Sequence, residues 1–168
     1  DGSRSLVGAN TELTLREIRR LKASGAQQLD VELRRGHIEN TVRPVGRGGG
    51  RYRIHTPAAV AAVRGTDFRA TAEGDGLRTE TLEGEVALQN RRGTTRLPAG
   101  TGSYVTPGKA PEASSRLLPA PQLDSLPERI DRVPFRVPIE PVAGAVRYRT
   151  QIAADAGFTA LDSDRTAT

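Results

Sequence analysis

Apolar and polar residues alternate in short runs along the first hundred residues of this chain, and glycine-rich turns separate the runs. The clearest run lies at residues 51–70. An alternation leads into Thr56-Pro57, an apolar run of small side chains follows at 58–63, and a second alternation starts at Phe68 after a polar turn. A period of two is typical of a strand with one buried face. The stretch therefore predicts strand, corner and strand at the centre of the core.

Residues 11–21 are ambiguous. Leu13 and Leu15 alternate as in a strand, whereas Leu15, Ile18 and Leu21 share one face of a helix. The neighbouring segments are strand-like, so we favour a strand with an irregular middle.

The remaining pattern also predicts strands. A run at residues 29–33 ends at Arg35-Gly36, and a hairpin turn is expected at Gly74-Asp75-Gly76. The other expected strands are at residues 6–7, 38–42, 77–82, 85–88, 94–97 and 103–106. Short strands with turns every 8–12 residues predict an all-β fold, either a sandwich, a barrel or a β-solenoid. The small residues at the corners and the scarcity of aromatic side chains favour a solenoid-like or sandwich-like stack of short strands.

The composition changes after residue 106, where prolines become frequent. Proline removes a backbone donor and disfavours both helices and sheet ladders, so residues 107–133 are expected to be a Pro-rich linker. Short strands at 135–137 and 146–152 follow. The predicted organisation is a β domain at 1–106, the linker, and a partial β-sandwich-like segment at 134–168.

Composition limits the chemistry. The chain of 168 residues has no cysteine, which excludes disulfides, cysteine zinc sites and a cysteine nucleophile. Aromatic residues make up 4%, so aliphatic side chains must fill the core. The formal net charge of +5 permits polyanion binding, but acidic residues are interspersed with the arginines. No apolar run is long enough to span a membrane.

No constellation of catalytic or ligand-binding residues stands out. His37 and His55 lack a nucleophile elbow and close-spaced metal ligands. The glycine-rich segment from Arg47 to Arg51 lacks the end of a phosphate loop, and Asp162-Ser163-Asp164 lacks the glycine and distal glutamate of a calcium loop. We therefore expect no enzyme activity, no cofactor and no metal.

Several spaced motifs in residues 1–106 resemble the FecR domain family of bacterial envelope proteins. The motifs are Asp1-Gly2-Ser3, Ala9-Asn10, Leu33-Arg34-Arg35-Gly36, Thr56-Pro57, Val63-Arg64-Gly65-Thr66-Asp67-Phe68, Leu82-Glu83-Gly84-Glu85-Val86 and Leu97-Pro98-Ala99-Gly100-Thr101-Gly102. The family usually begins with a strand or two before the Asp-Gly motif. The resemblance therefore implies that one edge of the fold is exposed or completed by other sequence. The tail from residue 134 resembles the first strands of a fibronectin-type-III-like repeat.

The resemblance implies a non-catalytic domain in the periplasm or on the cell surface. The first reading is a binding, sensing or scaffold domain associated with the cell wall, since no secretin-and-TonB-like short domain is recognisable. The alternatives are a periplasmic signalling domain of a sigma-factor regulator coupled to an outer-membrane receptor, and an arginine-driven polyanion-binding module. The expected partner is an envelope protein or a cell-wall glycan; nucleic acid and membrane insertion of this segment are not expected.

The family motif is expected to be structural rather than part of a binding site. Its residues are Asp1, Gly2, Ser3, Asn10, Gly36, Thr56, Pro57, Val63, Arg64, Gly65, Thr66, Asp67, Phe68, Gly84 and Gly100. Arg47, Arg51 and Arg64 are the candidate partner contacts, although Arg64 is also placed to pair with Asp67 within the scaffold.

Overall fold

The structure, a computed structural model, describes residues 3–20, 27–43, 51–63, 65–124, 126–127, 129, 134, 136 and 138–167. The chain divides into two compact units, residues 1–117 and 118–168. Every regular element in the described ranges is a strand. This confirms the all-β prediction.

Eleven described strands belong to the first unit and two to the second. They are β1 (Arg4–Val7), β2 (Glu12–Arg20), β3 (Gln27–Thr41), β4 (Arg51–His55), β5 (Val60–Val63), β6 (Asp67–Glu73), β7 (Gly76–Glu83), β8 (Glu85–Asn90), β9 (Gly93–Pro98), β10 (Thr101–Val105), β11 (Ser115–Arg116), β12 (Tyr148–Ala153) and β13 (Leu161–Ala167).

The strands of the first unit form one curled sheet whose two halves share the long strand β3. The first half-sheet has the order β2-β3-β4-β5-β8-β9, and the second has the order β1-β3-β6-β7-β10-β11. Only β3 and β4 pair in parallel among the described strands. Residues 27–35 of β3 belong to the first half-sheet, and residues 36–41 belong to the second.

Strand β3 bends at Gly36 and continues, so the predicted strand end at Arg35-Gly36 is wrong. Gly36 has a φ of 98°, a conformation that glycine adopts without steric cost. Thr11 lies directly against it and leaves no room for a side chain. The Thr11 hydroxyl also accepts a hydrogen bond from the His37 amide at 3.1 Å. The chain therefore passes from one half-sheet to the other within a single strand and exchanges its pairing partners there.

The core lies between the two half-sheets. Its largest fully buried side chains are Phe68, Leu33, Ile38, Ile54, Leu77, Leu88, Leu97, Val86, Val105, Thr66, Thr79 and Thr81. The rings of Tyr52 and Phe68, from opposite half-sheets, have centroids 6.0 Å apart. The Tyr52 hydroxyl donates to Asn40 Oδ1 at 3.0 Å. A ring contact and a hydrogen bond therefore join the two half-sheets.

The tight hairpin between β6 and β7 has the turn residues that its geometry needs. Gly74 and Asp75 connect β6 to β7 with φ values of 54° and 61°. Two positive φ values are the mark of a type I′ turn, which suits the twist of paired strands. This confirms the hairpin predicted there.

Residues 107–117 return along the strands of the first unit. The Glu112 amide donates to the Tyr104 carbonyl at 3.0 Å, and the Leu117 amide donates to the Gly100 carbonyl at 2.9 Å. Ser103 Oγ donates to the Glu112 carbonyl at 2.8 Å. The domain boundaries expected at residues 106 and 133 stay predictions.

The second unit contains the antiparallel hairpin of β12 and β13. Asp155 organises the loop between them, because its carboxylate accepts hydrogen bonds from the backbone amides of Gly157, Thr159 and Ala160. These amides, above all that of Ala160, hold the pKa of Asp155 below its usual value. The likeness to a fibronectin-type-III-like repeat stays a prediction, and the strand expected at 135–137 falls largely outside the described residues.

Candidate interaction surface

The motif from Val63 to Phe68 forms a crossing from β5 in the first half-sheet to β6 in the second. Thr66 is buried, and its hydroxyl donates to the Glu85 carbonyl at 3.1 Å. Its amide and carbonyl both bond to the backbone of Val42. The described part of the motif is thus occupied by contacts within the chain, and only Gly65 and Asp67 are partly exposed.

A second crossing, from β7 to β8, packs against the first. Gly84 has a φ of 77°, and a Cβ there would lie 2.7 Å from the Gly65 carbonyl oxygen. Gly100, at the crossing from β9 to β10, has a similar φ of 74° but open space around it. Glycine at residue 84 therefore meets a packing requirement as well as a backbone requirement.

Other motif residues form turns and corners. Thr56 closes the turn before β5, because its hydroxyl accepts from the Ala59 amide at 3.1 Å. Ser3 Oγ accepts from the Arg43 amide at 3.1 Å, and Asn10 has a φ of 56° at the corner between β1 and β2. Pro57 is exposed. Asp1 and Gly2 lie outside the described residues.

The three candidate partner contacts are not brought together in the described structure. Arg51 is exposed at the first position of β4, where it pairs in register with Gln28. Arg47 and Arg64 lie outside the described residues. No arginine cluster can therefore be assigned from this set.

The two histidines lie in different half-sheets and each has a polar neighbour. His37 Nδ1 is 2.8 Å from the Thr71 hydroxyl, and its Nε2 is 3.2 Å from Glu39. His55 Nε2 is 3.5 Å from the Asp30 carboxylate. Within the described ranges no group of three or more His, Cys, Asp or Glu side chains is placed to hold a metal ion.

Many arginines on the strands lie beside carboxylates. Arg16 donates through Nε and Nη2 to Glu32 Oε2 at 3.0 and 2.8 Å, and this hydrogen bonding lowers the pKa of Glu32. Arg53 approaches Asp30 at 3.3 Å, and Arg96 approaches Glu85 at 2.8 Å. These three arginines are therefore paired locally with carboxylates rather than gathered into one basic patch.

Strand β2 carries exposed apolar side chains that its sequence pattern does not mark as a binding surface. Leu15 and Ile18 are 53% and 67% exposed, although their cross-strand partners Val31 and Leu29 belong to the core or pack against it. The register shifts between Leu15 and Glu17, which makes Arg16 a β-bulge. The three-residue spacing of Leu15 and Ile18 was the available signal, and it reflects this bulge rather than a helix.

The part of the chain that the structure describes contains no helix with the length and apolar character needed to cross a membrane.

Comparison with known proteins relates the chain to one family. The family model described as "FecR protein" matches residues 1–87. Two crystal structures of a proposed anti-sigma factor from Parabacteroides distasonis each share 15% identity with the chain, with a TM-score of 0.46. The alignments cover 67% and 68% of this chain but only 59% and 60% of those chains. Such distant likenesses carry no functional argument. No curated protein matches the chain.

Proposed function

The chain belongs to the FecR family, and on that basis we propose that it is a non-catalytic regulatory domain of the bacterial periplasm that acts by binding an envelope protein. The family match over residues 1–87 is the observation that carries this proposal. It favours the signalling alternative over the cell-wall role that the sequence analysis put first.

The surroundings of the family motif support a scaffold role for it. Val63, Thr66 and Phe68 are buried, and Gly84 is packed against the neighbouring crossing. Buried side chains of this kind cannot contact a partner without unfolding. We infer that the motif maintains the two half-sheets and that a partner binds elsewhere on the surface.

The distribution of charge weakens the polyanion-binding alternative. Arg16, Arg53 and Arg96 each lie beside a carboxylate. A surface that neutralises phosphates or sulfates needs cations that are free to exchange their counterions. Arginines that are already paired with carboxylates are better suited to a solvated sheet surface than to polyanion binding.

Deletion of the gene in the source organism tests the proposal. We expect a defined set of transcripts to change reproducibly, and we expect the purified chain not to sediment with peptidoglycan sacculi. Unchanged transcripts together with tight sacculus binding would reject the regulatory role and support the cell-wall alternative.

A further inference from the structure

Strand β2 has a free edge within the described structure. It pairs only with β3, and no other described strand lies along its opposite side. An edge strand of nine residues leaves backbone donors and acceptors available for another strand. Proteins protect such edges with short strands, bulges or inward-pointing charges. β2 has the bulge, but its inward positions at 15 and 18 are leucine and isoleucine.

The bulge at Arg16 places Leu15 and Ile18 on the same face. In a regular strand, residues three apart point to opposite faces. Here the extra residue restores the alternation, so Leu15 lies opposite Val31 and Ile18 lies opposite Leu29. Cross-strand partners share a face, and both apolar side chains therefore lie on the core side of the sheet, beyond the cover of the second half-sheet.

The same bulge makes the edge self-complementary. If β2 lies antiparallel to a second β2 about a two-fold axis between residues 16 and 17, Leu15 of one copy faces Ile18 of the other, twice. Arg16 then faces Glu17 of the other copy, also twice, and Thr14 faces Arg19. Leu15 and Ile18 point inward, whereas residues 14, 17 and 19 point outward with their β3 partners Glu32, Asp30 and Gln28. The bulge residue Arg16 also lies on the outward face, where it bonds Glu32. Each pair therefore joins side chains on the same face of the sheet.

We propose that β2 binds β2 of a second copy of this chain, extending the first half-sheet across a two-fold axis. The occupant is a second copy because the apolar pair and the opposite charges both match in one register. A two-fold interface requires this self-complementarity. The dimer does not depend on the proposed regulatory role, and it places the exposed Leu15 and Ile18 beside apolar side chains of the second copy.

Sedimentation velocity of the full chain tests the dimer over protein concentrations from about 10 μM to about 1 mM, because a single strand edge gives a small interface and a weak complex. The wild-type chain should associate reversibly. Ile18→Thr keeps a β-branched side chain and should weaken association about tenfold. Val146→Thr, at an exposed apolar position in the second unit, should leave association unchanged.

Opposite charge reversals give a sharper test. Arg16→Glu and Glu17→Arg should each self-associate about tenfold more weakly, because each places like charges opposite one another twice. An equimolar mixture of the two variants should associate again, since both pairs become attractive in the mixed dimer. Thermal melting of each variant shows that it is folded, which matters because Arg16 also bonds Glu32 and Glu17 also pairs with Arg19 in the same chain.

A wild-type chain that stays monomeric at every concentration would overturn the proposal. So would a mixture of the two reversed variants that associates no better than either alone. Capture of a different protein by β2 without self-association would likewise replace the second copy as occupant.

Discussion

The buried threonines of the core differ in what their hydroxyl groups contact. The Thr79 hydroxyl is fully buried and has no hydrogen-bond partner among the described residues. The Thr66 hydroxyl donates to the Glu85 carbonyl. A buried polar group without a partner loses its hydration and gains nothing in return.

We therefore expect opposite effects from the same substitution at the two positions. Thr79→Val should raise the free energy of unfolding by about 1 kcal/mol, because an apolar group of similar shape replaces an unpaired hydroxyl. Thr66→Val should lower it by about 1 kcal/mol or more, because the Glu85 carbonyl loses its donor. Urea denaturation of both variants measures the difference. Destabilisation of equal size at both sites would contradict this account of the core.

The ionisation of Tyr52 should affect the stability of the fold. Burial raises the pKa of its hydroxyl above the ordinary value of 10.0, and the nearby Ser5 hydroxyl opposes this only in part. The folded state therefore holds the proton more tightly than the unfolded state. The resulting stability is fully present below about pH 10 and is lost as the pH rises through the folded pKa.

Unfolding free energies of wild type and Tyr52→Phe between pH 8 and pH 11 measure this contribution. At pH 8 the variant should be less stable by about 1 kcal/mol, because Asn40 Oδ1 loses a donor. Above pH 10 the difference in unfolding free energy should narrow. Wild type loses stability there because its buried phenol ionises less readily than the unfolded one, and the phenylalanine variant has no such group. Parallel curves across the whole range would contradict the role given to Tyr52.

At the scale of elements, the crossings between half-sheets are the demanding points of this fold. Gly84 and Gly100 have nearly the same positive φ, yet only Gly84 lies against neighbouring backbone. Gly100→Ala should cost about 1 kcal/mol of unfolding free energy, from the backbone conformation alone. Gly84→Ala should cost more, about 3 kcal/mol, because the Gly65 carbonyl must also move.

Thermal denaturation of the two glycine variants separates these contributions. Equal losses of unfolding free energy at the two positions would show that packing between the crossings contributes nothing to stability. The packing argument for glycine at residue 84 would then fail.

The sequence pattern predicted strands well where one face is buried and the other is solvated. Residues 51–55 and 67–73 alternate because their inward side chains meet a single core. Gly36 was misjudged because local sequence does not reveal that a strand can bend at glycine and exchange its partners. The bulge at Arg16 and the cross-sheet bond from Tyr52 to Asn40 depend on pairing between distant segments. The local alternation of apolar and polar residues contains no information about which distant segments pair.

The candidate surface was harder to foresee than the fold. Leu15 and Ile18 resemble ordinary core residues in the sequence, and only the extent of the second half-sheet leaves them exposed. The motif from Val63 to Phe68 is easily recognised because crossings between half-sheets restrict residue choice. Leu15 and Ile18 lie on β2, away from this crossing, and are not subject to that restriction.

The whole molecule combines a scaffold motif with the proposed regulatory role in the envelope. The central claim is that regulation requires this folded β unit. The most direct measurement is therefore the transcript profile of source strains that carry Gly84→Ala or Gly100→Ala in the otherwise unchanged gene, compared with wild type and with the deletion. We expect Gly84→Ala to shift the profile toward that of the deletion strain and Gly100→Ala to remain close to wild type. A deletion strain whose transcripts match wild type would contradict the regulatory role itself.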